Sequence, residues 1–253
     1  MTGSVEGKVA LVTGGSRGIG EAISRWFLAH GARGVAITGR KPEGLERAAR
    51  ELGGDRVLPV VGNVSDDDHP DQALTQVMDA FGACDILVNN AGTNPAAGTL
   101  MEVDLAAVDK TWDVNLRAPL VFARAAWRHW MADNGGAICN IGSMGGLQPS
   151  PVIGAYNVSK AALHFLTRQL AHEMAPGVRV NAVAAAIVKT KLSRLLWESD
   201  EQAAANLHPL QRLGTPEDVA EAVGFLCSDA ANWITGVVLP VDGGVSGARA
   251  GVG

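Results

Sequence analysis

Tyrosine occurs once in the 253 residues and cysteine three times. Cys84, Cys139 and Cys227 stand far apart, without a C-x-x-C pair. That spacing fits neither a disulfide framework nor a metal site, and is read most simply as buried thiols in a reducing compartment. His164, His172 and His208 also lack metal-ligand spacing and read as ordinary helix or loop residues. No apolar run approaches the length of a membrane span, and the N-terminus lacks the basic-then-apolar pattern of a signal peptide. Positive charge is not in excess. With 21 Lys and Arg against 26 Asp and Glu, the formal net charge of -5 gives no reason to expect nucleic acid or an anionic membrane as partner. A cytoplasmic protein is the expectation.

Apolar residues at 47% and charged ones at 19% describe a globular chain able to bury a sizeable core. Short continuous apolar runs over 8–13, 34–38, 56–61, 85–88, 137–141, 178–183 and 237–241 alternate with segments of helical periodicity. A long helical region is expected over 104–131, and Thr215-Pro216-Glu217-Asp218 carries the signals of a helix start. Such alternation predicts an α/β fold with a parallel sheet covered on both faces. No repeat or linker interrupts it, so residues 1–253 read as one domain. The small residues of 246–253 are expected to pack at an interface or fray.

The lone tyrosine stands in Gly154-Ala155-Tyr156-Asn157-Val158-Ser159-Lys160. Helical periodicity follows it, with Val158, Ala162 and Phe165 in one apolar stripe and Leu163, Leu166, Leu170 and Met174 in another. Positions four apart share a helix face, so phenol and ammonium point the same way. A cation beside a phenol favours phenolate and lowers a pKa that is otherwise about 10, which makes tyrosine usable as a proton donor and acceptor. Alone, the pair reads more readily as a surface tyrosine and a surface lysine.

Thr13-Gly14-Gly15-Ser16-Arg17-Gly18-Ile19-Gly20 lies between the first strand and the first helix. Glycines at 14, 18 and 20 let a pyrophosphate approach backbone, and a helix N-terminus adds free N–H groups. The G-x-x-x-G-x-G spacing is not G-x-G-x-x-G, and a tight strand-to-helix turn is the plain alternative. No acid ends the second strand, where one would grip the adenosine ribose and repel a 2'-phosphate. Gly39, Arg40 and Lys41 stand there instead, with Arg17 nearby, which favours NADP(H) over NAD(H); a solvated basic loop is the alternative.

Asn89-Asn90-Ala91-Gly92 follows the fourth strand, Asn115 lies in the long helical region, and Ser143 ends the fifth strand. Together with TGGSRGIG and YNVSK, these ordered motifs resemble the short-chain dehydrogenase/reductase family over essentially the whole chain, in its 3-oxoacyl-reductase-like or carbonyl-reductase branch. The resemblance implies a single-domain Rossmann fold with a doubly wound seven-stranded parallel sheet, NAD(P)-dependent carbonyl/alcohol chemistry, and a homotetramer or homodimer. It also implies that Tyr156 protonates the carbonyl oxygen, Ser143 orients it, Lys160 lowers the tyrosine pKa and holds the nicotinamide ribose, and Asn115 anchors a water leading protons to the lysine. Pro119 has no N–H for the Asn115 carbonyl, so a kink is expected there.

By the same matching, Gly14, Ser16, Arg17, Gly18, Ile19, Gly20 and Arg40 line the adenosine and phosphate side. Asn63 and Val64 flank adenine, Asn90, Ala91 and Gly92 the central portion, and Val188 and Thr190 the nicotinamide; Tyr156 and Lys160 serve cofactor as well as catalysis. Two positions depart. Asn63 replaces the usual aspartate, and Ala185-Ala186 replaces the usual Pro-Gly, which leaves the shape of the nicotinamide loop open. Residues 190–212 are expected to roof the pocket, with Leu192, Leu195, Leu196 and Trp197 either covering an apolar substrate or docking on the core. Met144, Leu147, Val152 and Ile153 add apolar surface. The leading reading is an NADP(H)-dependent reductase of ketones or 3-oxo compounds. An NAD-linked polyol dehydrogenase and a cofactor-binding sensor or scaffold are the alternatives. Ser143 lacks the G-x-S-x-G elbow of a serine hydrolase.

Overall fold

A strand with no polar alternate has two faces to bury, and only the centre of a layered sheet offers that. In the computed structural model, which describes residues 4–96 and 98–248, the strands are β1 (Val9–Val12), β2 (Gly34–Gly39), β3 (Val57–Val61), β4 (Ile86–Asn89), β5 (Gly136–Ser143), β6 (Val178–Ala185) and β7 (Val238–Val241). All pair in parallel, in the order β3-β2-β1-β4-β5-β6-β7. The alternation of side chains along β1 divides the core. Ala10 and Val12 join Trp26, Phe27, Leu45, Val219 and Val223 on one face, and Val9 and Leu11 join Leu74, Phe122 and Leu170 on the other. Chain order reverses between β1 and β4, so their carboxyl ends open a crevice of the kind that binds ligands in such sheets.

The helices are α1 (Gly18–Ala29), α2 (Pro42–Leu52), α3 (His69–Phe81), α4 (Leu105–Trp112), α5 (Ala118–Ala126), the single turn α6 (Ala132–Asn134), α7 (Gly154–Glu173), α8 (Glu201–Asn206), α9 (Pro216–Cys227) and α10 (Val245–Ala248). None of them is long and apolar enough to cross a membrane. The region expected as one long helix is broken twice by π turns, at Asp113–Arg117 and Trp127–Met131. The first is centred on Asn115: the Ala118 N–H reaches back to the Asp113 carbonyl, and Pro119 has no N–H to resume the α ladder on Asn115. The second π turn had no sequence signal.

Two details appear only in the fold. Leu163 and Leu170 in α7 and Met174 just beyond it are buried, whereas Val158 and Phe165 of the first apolar stripe are exposed. The strands β5 and β6 run two residues beyond their expected ends. Ala185 pairs with Ser143 on one side and Val241 on the other, and the Ala186 N–H donates to the Val241 carbonyl at 3.1 Å. Neither alanine enters the left-handed region. Residues 249–253 of the small C-terminal stretch lie outside the described residues.

The expected start of α9 is a complete capping box. The Thr215 hydroxyl accepts from the Asp218 N–H at 3.3 Å, and Asp218 accepts from the Thr215 N–H at 2.8 Å. Arg212 adds a fork on the same carboxylate at 2.6 and 2.8 Å, which with the cap bonds pulls the Asp218 pKa down to about 2. Thr215→Ala is expected to lower the unfolding free energy by about 1 kcal/mol, the usual worth of an N-cap, with activity unchanged; urea unfolding checks it.

Candidate active site

The crevice begins where β1 runs into the glycine turn. Gly14 and Gly18 have φ of +67° and +58°, which L side chains adopt only under strain. Gly20 is required for space: a Cβ there would stand 2.5 Å from Asn90 Nδ2 and 2.6 Å from the Gly14 carbonyl. At the start of α1 the N-cap is Arg17, which makes no side-chain cap bond, so no side-chain cap occupies the first N–H groups of that helix. Ser16 and Ile19 are half-buried beside them and Arg17 is exposed.

Asn90 braces this turn from β4. Its Nδ2 donates to the carbonyls of Thr13 (2.8 Å) and Gly14 (3.1 Å). The buried Thr13 hydroxyl accepts the N–H groups of Asn90 and Ala91, each at 3.0 Å. The Asn90 carboxamide donors are thus committed to protein, and Ala91 and Gly92 carry the chain along the crevice. At its outer end Arg40 and Lys41 are exposed, and neither they nor Arg17 form a salt bridge among the described residues. Asn63 and Val64 follow β3 there. Asn63 is tied into its own turn, accepting from the Ser65 N–H at 3.4 Å and donating to Asp66 at 3.3 Å.

The opposite wall holds the titratable groups. Lys160 is buried, its Nζ donates to the Ile141 carbonyl at 2.8 Å, and it lies 5.6 Å from the centroid of the half-buried Tyr156 ring. Ser143, at the end of β5, lies beside Tyr156, close enough to favour its phenolate form, and accepts the Gly145 N–H at 3.1 Å. A Cβ on Gly92 would stand 3.9 Å from Lys160 Nζ and 3.6 Å from Asn115 Oδ1, which joins the two halves of the crevice. The fully buried Asn115 exchanges two 2.9 Å bonds with the Thr93 backbone and donates to Ser159 Oγ at 3.1 Å; Ser159 in turn donates to the Tyr156 carbonyl at 2.6 Å. Thr190 lies over the glycine turn, 3.5 Å from where a Gly18 Cβ would be, and shares a bond with Ser193. Val188 is buried, bridged to Gly214.

The electrostatics correct one expectation. Burial raises the Tyr156 pKa, and the Ser143 hydroxyl beside it offsets only part of that push. The same burial lowers Lys160 from 10.5 to about 8. In the protein by itself the phenol is therefore not pulled toward phenolate by the amine. An ordinary phenol is already protonated at neutral pH, and removal from water disfavours its anion further. Tyr156 keeps part of its surface open, so this is the push of a crevice wall and not of a sealed core.

Segment 190–212 does not dock its leucines on the core. Leu192, Leu195 and Leu196 are exposed, as are Leu207 and Leu210. It is held instead by the Lys189–Glu201 ion pair, the buried His208, and the Leu210 N–H on the Gly243 carbonyl at 3.0 Å. Val152, between Ser143 and Tyr156, is a β-branched residue at φ +70°, pinned by the Gly98 N–H on its carbonyl at 2.8 Å. Sequence reasoning missed the Ile141 carbonyl, the Thr93 backbone and the link through Ser159. Backbone groups leave no residue-type signal, though the serine was visible one place before Lys160. His164 lies on a helix as expected, but its Nε2 also faces the Ser143 N–H at 3.4 Å, a contact with no signal in the sequence.

Known proteins resemble the chain over most of its length. A family model described as enoyl-(acyl carrier protein) reductase matches residues 14–246. The dehydrogenase/reductase SDR family member 4 of Pongo abelii is 40% identical over 243 residues, covering 94% of this chain and 87% of that protein. The crystal structure of a 3-ketoacyl-(acyl-carrier-protein) reductase from Brucella melitensis complexed with NADH superposes with a TM-score of 0.91 at 36% identity, covering 96% of this chain and all of that one. ElxO with NADP bound superposes at 0.89 with 33% identity, over 95% of this chain and 99% of its own. By its sequence relatives and its fold alike, the chain belongs to the short-chain dehydrogenase/reductase family of NAD(P)-dependent oxidoreductases.

Proposed function

We propose that this enzyme interconverts a ketone or 3-oxo compound and a secondary alcohol, with NADP(H) as the preferred cofactor. The observation that carries the reading is the meeting of Ser143, Tyr156 and Lys160 at the carboxyl edge of the sheet, beside a glycine turn with no room for side chains. A dinucleotide fits the residues present: the start of α1 has no side-chain cap, and a Cβ at Gly20 would collide with the turn itself. Gly14, Ser16, Gly18 and Ile19 would hold its phosphates, Arg17 and Arg40 a 2'-phosphate, and Lys160 the nicotinamide ribose, with Val188 and Thr190 at the ring. The bound cofactor supplies or accepts the hydride.

Tyr156 then holds the proton at its hydroxyl and gives it to the carbonyl oxygen. Ser143 donates to the same oxygen and orients it. Asn115, with the helix broken around it, positions water for proton return through Lys160. The exposed leucines of 190–212, with Leu147 and Val152, form the apolar roof of the substrate pocket. Substrate is therefore an apolar carbonyl compound. Of the Ala185-Ala186 pair, the sole reason to consider a cofactor-binding scaffold without turnover, Ala185 ends the β6 ladder and Ala186 follows it with its N–H on the Val241 carbonyl, neither in the left-handed region. The exposed Val158 and Phe165 of α7, Trp112 of α4 and the fully exposed Trp233 suit burial against further copies, as a homotetramer or homodimer.

A panel of 3-oxoacyl thioesters, open-chain ketones and ring ketones, assayed with NADPH and with NADH, tests activity, cofactor and substrate class together. No turnover with any carbonyl would remove the reading. Arg40→Asp is expected to move the preference from NADPH to NADH by roughly 10- to 100-fold in kcat/KM, because one phosphate-facing ion pair is exchanged for a repulsion. The ratio of the two kcat/KM values before and after the change checks it, and an unaltered ratio would place the 2'-phosphate elsewhere.

A further inference from the structure

The imidazole of His164 is keyed into a slot made by the turn that carries Ser143. It lies on α7, one helical turn beyond Lys160, and is buried. A Cβ on Gly142 would stand 2.2 Å from its Nε2, and a Cβ on Gly146 would stand 2.7 Å from its Cε1. The glycines on both sides of Ser143 thus leave their side-chain space to one ring. Within the slot, Nε2 accepts the Ser143 backbone N–H at 3.4 Å. The other nitrogen, Nδ1, is buried without a hydrogen-bond partner among the described residues.

We propose that His164 is a positioning residue for the reaction, holding Ser143 in place by accepting its backbone N–H. The proposal rests on the reading that the Ser143 hydroxyl orients the substrate carbonyl. A ring present only to fill space would be better replaced by hydrocarbon, since a buried polar nitrogen without a good partner is costly. The Nε2 contact is what the imidazole offers and leucine does not. It requires the neutral tautomer with its proton on Nδ1. Burial, with added repulsion from Lys160 and Arg168 on the same helix, pushes the His164 pKa down to about 4 and so keeps the ring neutral in the working range. Ser143 is then held from two sides: its N–H on the imidazole, and its Oγ under the Gly145 N–H.

Two variants and one spectrum test this. With the carbonyl that turns over fastest in the panel, His164→Leu is expected to lower kcat roughly 10- to 100-fold, the scale of a small misplacement of an orienting group. KM for NADPH should stay within about twofold, because no cofactor-facing group is touched. His164→Gln, whose amide oxygen can again accept the N–H, should recover most of the loss. In a Ser143→Ala background, His164→Leu should cost nothing further. A wild-type kcat in His164→Leu, an equal loss in the Ser143→Ala background, or no recovery by glutamine would overturn the proposal and leave His164 as packing. Should Ser143→Ala itself turn over normally, it is the functional reading that fails. Should the variants not fold, nitrogen-15 spectra of histidine-labelled wild-type enzyme at pH 7 decide. Neutral His164 with its proton on Nδ1 supports the proposal, and a proton on Nε2 sinks it.

Discussion

Tyr156→Phe is expected to lower turnover by roughly 10²- to 10⁴-fold, the range for a lost general acid, while NADPH still binds with nearly wild-type affinity. The substitution removes one oxygen and leaves the ring. The chain has no other tyrosine to take over the role. The helix that carries the residue keeps its own anchors, through the Tyr156 carbonyl to Ser159 and the Trp112 indole to the Ala155 carbonyl at 3.3 Å, and these do not depend on the hydroxyl. The loss should therefore fall on kcat and not on folding. Single-turnover measurements with saturating NADPH, alongside cofactor titration by fluorescence, separate the two. Turnover like that of the wild type would end the case for the phenol as proton donor.

Lys160→Met should produce two large effects of opposite benefit. Turnover falls by about 10²- to 10³-fold, as for loss of a preorganised charged donor. Stability at neutral pH rises. The sign follows from the lysine's own titration. Its pKa is about 8 in the folded protein against 10.5 in an exposed chain. Between those values the unfolded chain holds a proton that the folded one does not, so the wild type gains stability as pH rises through that window. Below about 8 both states are protonated, and the folded state bears the full cost of the buried ammonium, at most about 3 kcal/mol.

Methionine removes that cost but leaves the Ile141 carbonyl, now bonded to Nζ at 2.8 Å, without its partner, a loss of about 1 kcal/mol. The net gain of about 1–2 kcal/mol corresponds to a rise in Tm of several degrees for a chain of this size. The advantage of the variant over wild type should shrink from pH 8 to pH 10. Thermal melts across that range check it; a variant less stable than wild type at pH 7 would show that the ammonium is stabilised in its pocket, against the burial argument. Stability given up at one charged group for the sake of reactivity is the expected signature of an active site.

The two residues also show where sequence reasoning reached and where it stopped. Their spacing placed both on one face of α7, and the glycine turn was legible from its chemistry, whereas the roles of Asn90 and Ser143 came from the resemblance of the ordered motifs to a known family. The direction of the Tyr156 shift was not legible. The sequence suggested a cation lowering the phenol's pKa, whereas burial raises it, and burial is a property of what other elements stack against the helix. The break at Asn115 could be anticipated from Pro119, since a missing N–H is a local fact; its form as a π turn, and the second such turn at Trp127–Met131, could not.

From residues alone came the alternation of apolar strands with amphipathic helices, the seven strands in order, the capping box at Thr215 and the Tyr156–Lys160 face; the other groups of the crevice came from the family resemblance. The former depend on periodicity, turn chemistry and spacing along the chain, all of which are local. Tertiary structure decided which faces were left uncovered, as at Val158 and Phe165, how Ala185 extends β6, and that an unremarkable histidine eight residues beyond the tyrosine lies against the Ser143 backbone. Each of these turns on contact between segments distant in sequence and on the loss of water around them. Neither is written in any one stretch of residues.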